Sequence, residues 1–223
     1  MADQVLLGTG RDADVFALDD GRVLRRYRDG GDVAREASIM AYVGGHGFPV
    51  PRVDRAEGAE LVMERVDGPT MLAALIAGEL DVPDGAAILA DLHRRLRGLP
   101  PRPGGDPGLR VVHLDLHPEN VMLGPGGPVV IDWRNARDDE PDLDVAMSAL
   151  ILAEVAVNNW FGLGDVGERF LTAFLARTPG DPVRLLDAAL ATRRVNPTLS
   201  VEEIGRLDDA ATLVREHWRP TAG

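Results

Sequence analysis

The chain of 223 residues contains no cysteine, and all 24 of its lysine-or-arginine positions are arginine. The absence of cysteine excludes disulfide bonds and thiolate metal sites. Without lysine, a site that requires a cation has to use arginine, whose guanidinium is a planar fork rather than a point charge. Cationic groups in any binding site of this protein are therefore expected to be guanidinium groups.

The sequence also lacks an apolar segment long enough to span a bilayer. The nearest candidate, LDVAMSALILAEVAV at 143–157, is short and carries Asp144 and Glu154, so it predicts a buried helix. At the N-terminus, MADQVLLGTG has no basic stretch followed by an apolar run, so no signal peptide is expected. These features predict a cytoplasmic protein without a membrane partner.

Positive charge is in the minority, because the formal net charge is −12. This acidic balance argues against a general nucleic-acid-binding protein, which needs a basic surface. It permits a cationic substrate, but a solvated acidic surface accounts for the same composition. The length is sufficient for one large domain or two small lobes with a real core.

The first part of the chain is typical of a small antiparallel sheet with one helix. VLLGTGRDADVFALDDGRVLRRYRDG predicts three strands, with a glycine turn after the first and a tight turn at 19–21 after the second. DVAREASIMAYVGGHG then predicts a helix that is capped by Asp32 and ended by the glycines at 44–45. Two further strands are predicted around a turn at 57–58.

Beyond a short connector at 64–69, the pattern becomes helical, and TMLAALIAGEL and GAAILADLHRRLRGL have helical spacing. A polar hairpin is predicted to turn at 124–127. Four further helical segments are predicted, at 142–157, 165–177, 181–193 and 201–217. The sequence thus predicts an α+β protein with a β-rich lobe at 1–66 and a helical lobe at 67–223.

The most informative segment is VVHLDLHPENVML, at 111–123. Phosphoryl transfer to a hydroxyl requires a carboxylate that orients the attacking oxygen, oxygen ligands for Mg²⁺ and cations close to the phosphates. Asp115 supplies such a carboxylate, and Asn120 together with Asp132, after the next strand, supplies oxygen ligands for Mg²⁺. The residue types and their spacing therefore favour a phosphotransferase site with Asp115 at the reacting hydroxyl.

A metal cage is the second interpretation of the same segment. His113, Asp115 and His117 alternate along the chain and would share one face of a strand, where neutral imidazoles are good Zn²⁺ ligands. A metal-dependent hydrolase of this kind would need further ligands, and Pro118 ends the strand at once. Under the phosphotransferase interpretation, both histidines are structural and hold the loop through hydrogen bonds.

The spacing H-x-D-x-x-x-x-N, followed 12 residues later by the aspartate of I-D-W, is found in the protein-kinase-like fold. In particular, HLDLHPEN and VVIDW resemble the aminoglycoside phosphotransferase and choline kinase group, whose loop commonly reads His-Gly-Asp-Leu-His-Pro-Gly-Asn. The resemblance spans about residues 5–157. It implies a two-lobed fold, ATP in the cleft between the lobes, Mg²⁺ as the metal and a small-molecule hydroxyl as the phosphoryl acceptor.

The resemblance also assigns nucleotide-binding roles in the β-rich lobe. Gly8 and Gly10 in LLGTGRDADVFAL would let the backbone approach the phosphates closely. Arg25 follows an apolar pair on the third strand, where the group carries its phosphate-binding lysine, and Arg26 is the alternative if the register differs by one. Glu36 on the following helix would pair with that cation.

Two further segments match the group. LVMERVDGPTM resembles the hinge between the lobes, so that backbone groups of Met63, Glu64 and Val66 would contact the adenine. In DLDVA, Asp144 would brace the catalytic loop through its backbone, although a helix N-cap is an equally good interpretation of that residue.

The chain departs from the group at two positions. Arg25 replaces the commonest residue, lysine, and keeps the charge with a different geometry. Glu119 stands where the group often has glycine, and it adds a carboxylate near the site. The missing lysine is the feature that supports a rival function, a nucleotide-binding pseudokinase that acts as a scaffold or sensor.

The acceptor itself is not named by the sequence. The acidic run RDDEPDLD, at 137–144, lies just beyond Asp132 and favours a cationic acceptor, but a solvated loop explains it equally well. Aminoglycosides, macrolides, choline-like amines, sugars, homoserine and protein hydroxyls are all compatible with the pattern, and the oligomeric state stays open.

Overall fold

The computed structural model describes residues 5–10, 12–18, 21–28 and 30–219. Strands within these residues form one five-stranded sheet and two two-stranded ribbons. The strands are β1 (Val5–Thr9), β2 (Ala13–Leu18), β3 (Arg22–Tyr27), β4 (Val53–Glu57), β5 (Glu60–Glu64), β6 (Arg110–Val112), β7 (Val121–Gly124), β8 (Gly127–Val130) and β9 (Arg137–Asp139).

One helix lies within the β-rich part of the described chain, and the other helices follow the sheet. Two single-turn 3₁₀ segments, Pro118–Asn120 and Trp160–Gly162, interrupt the loops. The α-helices are α1 (Ala34–Gly45), α2 (Met71–Ala77), α3 (Val82–Arg97), α4 (Pro141–Asn158), α5 (Gly164–Leu175), α6 (Leu186–Arg194), α7 (Val201–Gly205) and α8 (Leu207–His217).

The five-stranded sheet has the order β1-β2-β3-β5-β4, and every neighbouring pair is antiparallel. The predicted order of strand, strand, strand, helix, strand, strand is confirmed. In the predicted turn between β2 and β3, Asp19 and Asp20 lie outside the described residues. Gly21, which follows them, has a φ of 73°, a left-handed conformation that glycine adopts without steric cost.

Helix α1 connects β3 to β4 and begins one residue later than the predicted cap implies. Val33 occupies the N-cap position, while the Asp32 carboxylate accepts the backbone N–H of Ala34 at 2.8 Å. Asp32 therefore closes a local turn before the helix, and the prediction that it is the N-cap is wrong. The helix ends at Gly45 as predicted, and Glu36 is among its buried residues.

Helix α4 is the centre of the helical part. It is buried without interruption from Asp142 to Glu154, and α5, α6 and α8 pack around it. The buried helix predicted from the apolar segment at 143–157 is therefore confirmed. In the part of the chain that the structure describes, no helix is long and apolar enough to cross a membrane.

Two predicted helices near the C-terminus have different bounds in the structure. The helix predicted at 181–193 begins only at Leu186, because a turn closed by the Asp181 carboxylate precedes it. The helix predicted at 201–217 is divided at Arg206 into α7 and α8, where the preceding glycine has a low helix propensity.

The loop that follows β6 is fixed by a buried carboxylate on α4. Asp144 Oδ1 accepts the backbone N–H of His113 at 3.0 Å and that of Leu114 at 2.6 Å. Leu114 has a φ of 63°, a conformation that costs a non-glycine residue on the order of 1–3 kcal/mol. The predicted brace is confirmed, and the interpretation of Asp144 as an N-cap is wrong, because Glu140 holds that position.

A second set of contacts reaches the same loop from α3. His93 Nδ1 lies 3.4 Å from Asp144 Oδ2, and His93 Nε2 lies 2.9 Å from Ser148 Oγ. The Ser148 hydroxyl donates to the carbonyl of Leu116 at 2.6 Å. All four residues are buried, so polar contacts hold the loop on both sides of position 115.

Farther along α4, a fully buried ion pair connects this helix to α6. The Glu154 carboxylate is 0% exposed and accepts two hydrogen bonds from the Arg193 guanidinium, at 2.8 and 2.7 Å. A bidentate contact of this kind offsets the desolvation of both charges only while both partners are present. The pair therefore fixes α6 against α4.

We expect Asp144→Asn to destabilise the protein more at neutral pH than in acid. Burial alone would raise the pKa of the Asp144 carboxyl, but hydrogen bonds from His93 and the Leu114 N–H outweigh it, so the pKa is lowered. A lowered folded-state pKa gives stabilisation that is present above the ordinary carboxyl pKa of about 3.9. That stabilisation is lost as the pH falls through the folded-state value.

Urea unfolding of the wild type and Asp144→Asn measures this dependence. The difference in free energy of unfolding should be about 1.5–3 kcal/mol at neutral pH, the range for hydrogen bonds to a charged group. It should shrink as the pH is lowered toward about 3. A difference that does not change with pH would contradict the role given to the charge.

Removal of one partner from the buried pair should be far more harmful than removal of both. Arg193→Met leaves an unpaired buried carboxylate, so it should lower the free energy of unfolding by about 3–5 kcal/mol. The double variant with Glu154→Leu should recover most of that loss. Arg194→Met is the matched control, because Arg194 is exposed and pairs with Asp208 at the surface. Equal losses for both single variants in chemical denaturation would refute this account.

Candidate active site

Asp115 and Asn120 face each other across the loop between β6 and β7. The Asn120 side-chain Nδ2 donates to the Asp115 carbonyl at 2.8 Å and to Asp115 Oδ2 at 3.1 Å. His117 Nε2 lies 3.6 Å from Asp115 Oδ1. Asn120 is buried, whereas the Asp115 side chain is 23% exposed. The loop thus leaves the Asp115 carboxylate partly exposed, and the amide oxygen of Asn120 is the atom of that side chain that can bind a cation.

The hairpin of β7 and β8 places Asp132 next to this loop. Val121 pairs with Val130, and the Ile131 N–H donates to the Asn120 carbonyl at 3.0 Å. Asp132 follows directly, with a φ of 64° and a side chain that is 35% exposed. Two residues that are separated by a whole hairpin therefore lie at the ends of neighbouring strands. Like Leu114, Asp132 is a non-glycine residue in a strained conformation, and such residues concentrate at functional sites.

Both ring nitrogens of His113 form hydrogen bonds, so neither is free to bind a metal in this arrangement. Its Nδ1 accepts the backbone N–H of Asp115 at 3.3 Å, so Nε2 carries the proton and donates to the Ile131 carbonyl at 3.0 Å. Complete burial lowers the pKa of this imidazole, which favours the neutral form. Within the described residues, no group of three or more histidine or acidic side chains is arranged to hold a metal. The metal-cage interpretation is therefore wrong.

The structure decides between the two candidate arginines on β3. Arg25 is 8% exposed and faces the helix, with Nη1 3.5 Å from Glu36 Oε1. Its Nη2 lies 2.5 Å from Asp132 Oδ1. Arg26 points to the other face of the sheet and pairs with Glu60 at 2.9 Å. Period-two alternation thus places Arg25, and not Arg26, next to Asp132.

The charge of Arg25 is stabilised by its acidic partners. Burial alone would lower the pKa of the guanidinium, but the charge of Asp132 and that of Glu36 outweigh burial and raise it. Burial raises the pKa of the Glu36 carboxyl, although Arg25 and a hydrogen bond from Tyr27 act in the opposite direction. Arg25 is therefore a permanent cation between two carboxylates that come from different parts of the chain.

Sequence reasoning missed Tyr27 and Arg134. The Tyr27 hydroxyl donates to Glu36 Oε2 at 2.6 Å, and two guanidinium groups lie over its ring, with Arg134 Cζ 4.4 Å and Arg25 Cζ 4.9 Å from the ring centroid. Arg134 Nη1 lies 3.4 Å from Asp12 Oδ2 in the turn between β1 and β2. The available signal was spacing, because residues two apart on a strand share one face.

Gly8 and Gly10 lie on the exposed edge strand and in the turn that follows it. A register shift occurs between Leu6 and Gly8, and the Gly10 N–H donates to the Ala13 carbonyl at 2.9 Å. A Cβ atom at Gly8 would meet nothing within 4 Å, so the backbone borders open space there. Arg11, which follows Gly10 in the sequence, lies outside the described residues.

The predicted hinge leaves β5 with most of its backbone N–H groups in use. The Glu64 N–H donates to the Arg52 carbonyl and the Arg65 N–H to the Gly21 carbonyl, both at 2.9 Å. Among the described residues, the Val66 N–H forms no hydrogen bond. Val66 is thus the hinge position that can donate to a ligand without loss of a sheet contact.

A cavity of about 660 Å³ also borders the hinge. Glu64 and Val66 line it, together with the end of α1, the segment before β4 and the turn of the β7–β8 hairpin. Asp115, Asn120 and Asp132 do not line this cavity. The cavity is therefore separate from the predicted catalytic and metal-binding residues.

Glu119, the carboxylate that the sequence places beside the site, is exposed. It forms no hydrogen bond or ion pair with another residue of the described chain. The acidic run at 137–144 is different, because its carboxylates other than that of Asp144 are paired with arginine. The pairs are Asp138 with Arg102, Asp139 with Arg137, Glu140 with Arg184, and Asp142 with Arg97 and Arg184.

Solved structures share this fold at low sequence identity. The amicoumacin kinase hAmiN, in complex with AMP-PNP, Ca²⁺ and Ami, is 15% identical, with 97% of this chain and 89% of that chain covered and a TM-score of 0.56. A thermostable mutant of the aminoglycoside phosphotransferase APH(4)-Ia, in a ternary complex with AMP-PNP and hygromycin B, is 13% identical, with 99% and 95% covered and a TM-score of 0.56. A choline/ethanolamine kinase family protein from Mesorhizobium loti is 15% identical, with 97% and 91% covered and a TM-score of 0.61.

These likenesses show an α+β, two-lobed, protein-kinase-like fold, which confirms the predicted fold class. A search among curated proteins gives no match. The family comparison matches residues 3–110 and 99–186 to APH, the phosphotransferase enzyme family. These residues make up most of the chain, so the predicted resemblance is confirmed. The chain belongs to the phosphotransferase enzyme family.

Proposed function

We propose that the protein is an ATP-dependent phosphotransferase that transfers the γ-phosphoryl group to a hydroxyl of a small molecule. The observation that carries this proposal is the contact between Asn120 and the partly exposed Asp115 carboxylate, next to Asp132. Two similar structures contain AMP-PNP, one of them with amicoumacin kinase and the other with an aminoglycoside phosphotransferase. These structures support a nucleoside triphosphate as the phosphoryl donor.

Asp115 is assigned to the acceptor hydroxyl. Asn120 holds Oδ2, which leaves Oδ1 to accept a hydrogen bond from the hydroxyl. Oδ1 would take the hydroxyl proton as the oxygen bonds to the γ-phosphorus and the bond from that phosphorus to the leaving ADP breaks. The brace from Asp144 fixes the backbone on the N-terminal side of this carboxylate. Positioning of the hydroxyl, rather than covalent chemistry by the protein, is therefore the main contribution of the loop.

The residues at the hairpin fit a magnesium ion. Asp132 offers carboxylate oxygens and Asn120 an amide oxygen, both of which are hard ligands. Because no larger cage of protein ligands exists among the described residues, a metal here would complete its shell with phosphate oxygens and water. When bound, Mg²⁺ would neutralise charge on the phosphates.

The nucleotide is assigned to the space between the sheet and the hairpin. Arg25, steadied by Glu36, would supply positive charge to the phosphates, and Gly8 and Gly10 would allow a close approach of the backbone. At the hinge, the adenine would meet the backbone of Met63, Glu64 and Val66. We assign its hydrogen bond from the protein to the Val66 N–H. The division into lobes at 1–66 and 67–223 is part of this proposal.

The acceptor is proposed to be a small molecule. Glu119 is the residue that would pair with a positive charge on that molecule. The acidic run at 137–144 is neutralised by arginine, so it does not supply the negative charge that a cationic acceptor would require. Glu119 is exposed and lies one residue from Asn120. If the acceptor carries an amine, this carboxylate is the group nearest along the chain to the reacting residues that can pair with it.

Incubation of the purified protein with γ-labelled ATP, Mg²⁺ and a panel of aminoglycosides, amino alcohols, sugars and proteins tests the reaction class. We expect label to be transferred to a hydroxyl of a small molecule, which its mass will identify. The rival function is a nucleotide-binding pseudokinase, which the missing lysine at position 25 supports. Bound ATP without any transfer across the panel would favour that rival.

Asp115→Asn should reduce kcat/KM by about 100-fold or more, because a neutral amide cannot accept the hydroxyl proton. The affinity for nucleotide, measured by calorimetry, should stay close to that of the wild type. Asp91→Asn is the matched control, since Asp91 is an exposed residue on α3 that pairs with Arg94 at the surface. Equal turnover in wild type and Asp115→Asn would remove Asp115 from the mechanism.

A further inference from the structure

The Arg25 guanidinium contacts two carboxylates at once. One of its terminal nitrogens lies 2.5 Å from Asp132 Oδ1, and the other lies 3.5 Å from Glu36 Oε1. Asp132 follows β8, and Glu36 lies on α1, so a single side chain connects the hairpin to the helix of the sheet. The guanidinium serves the two acceptors from two separate nitrogens, whereas a lysine would have to serve both from one nitrogen.

This contact occupies one of the two carboxylate oxygens that Asp132 could offer to a metal ion. Asp132 Oδ1 accepts the short hydrogen bond from Arg25, while the side chain is still 35% exposed and open to other ligands. Together, Asp132 and Glu36 carry two negative charges, and Arg25 cancels one of them. Loss of the guanidinium would leave two neighbouring carboxylates without their shared cation, an environment that attracts a divalent ion.

We propose that Arg25 competes with the divalent metal for Asp132, so that the protein without nucleotide binds the metal weakly. Arg25 releases Asp132 when the phosphates of the nucleotide offer the guanidinium an alternative anion. The metal and the nucleotide then load together rather than one after the other. This inference rests on the proposed function, because it takes Asp132 as a metal ligand.

The neighbouring arginine provides a matched control within the same strand. Arg26 has the same charge and the next position on β3, but it faces away and pairs with Glu60. Removal of Arg26 changes the net charge of the protein by the same amount as removal of Arg25. An effect of overall charge would therefore change the metal affinity of both variants. A local competition for Asp132 would change it only in the variant without Arg25.

Titration of Mn²⁺ into the purified nucleotide-free protein, with the unbound ion counted by electron paramagnetic resonance, tests the proposal. Arg25→Met should bind Mn²⁺ about tenfold more tightly than the wild type, while Arg26→Met should bind it like the wild type. Arg25→Lys keeps the charge but not the fork, so it should lie between them. Asp132→Asn in the Arg25→Met background should abolish the gain.

Thermal melting establishes that each variant is folded before the titration. If Arg25→Met does not fold, Arg25→Lys alone decides, since it keeps a cation beside Glu36. Equal Mn²⁺ affinity in the wild type and the folded Arg25 variants would overturn the proposal, as would an equal gain in Arg26→Met. Phosphoryl transfer by the wild type is measured separately. If the wild type transfers phosphate and the Arg25 variants bind Mn²⁺ with unchanged affinity, only the proposed competition is rejected. Tighter Mn²⁺ binding by Arg25→Met, together with no phosphoryl transfer by the wild type, would reject the proposed function alone.

Discussion

The buried carboxylate of Asp144 is the interaction on which the site depends. It accepts two consecutive backbone N–H groups, and the second belongs to Leu114, whose left-handed conformation is unfavourable for a side chain with a Cβ atom. Charge-assisted hydrogen bonds in a buried setting are strong enough to offset that strain. The result is a loop in which Leu114 stays buried while the next residue, Asp115, keeps contact with solvent.

The choice of arginine as the cation shapes the rest of the electrostatics. Inside the protein, the Arg25 and Arg193 guanidinium groups each meet a buried carboxylate, Glu36 and Glu154 respectively. At the surface, the acidic run beyond Asp132 is held in arginine pairs. The net charge of −12 therefore says little about the site, because local pairing and not the total decides which carboxylates can take a ligand.

The order of elements could be predicted because each depends on short-range patterns. The alternation of apolar and polar residues and the turn glycines predicted the five strands of the sheet, and the apolar segment at 143–157 predicted α4. The errors arose where a side chain and the backbone compete locally. Asp32 closes a turn before α1, and the Asp181 carboxylate delays α6. The ribbon of β6 and β9 was not predicted, since three-residue strands are too short for a period to be recognised.

The sequence by itself determined that Asp115 and Asn120 belong to one site. They are five residues apart in one tight loop, and local geometry brings their side chains together. Only the tertiary structure decided that Arg25 meets Asp132, which lies 107 residues away, and that Arg134 lies over the Tyr27 ring. Contacts of this kind depend on how the sheet packs against the hairpin. No short-range pattern encodes that packing, because it arises from the summed burial of residues throughout the chain.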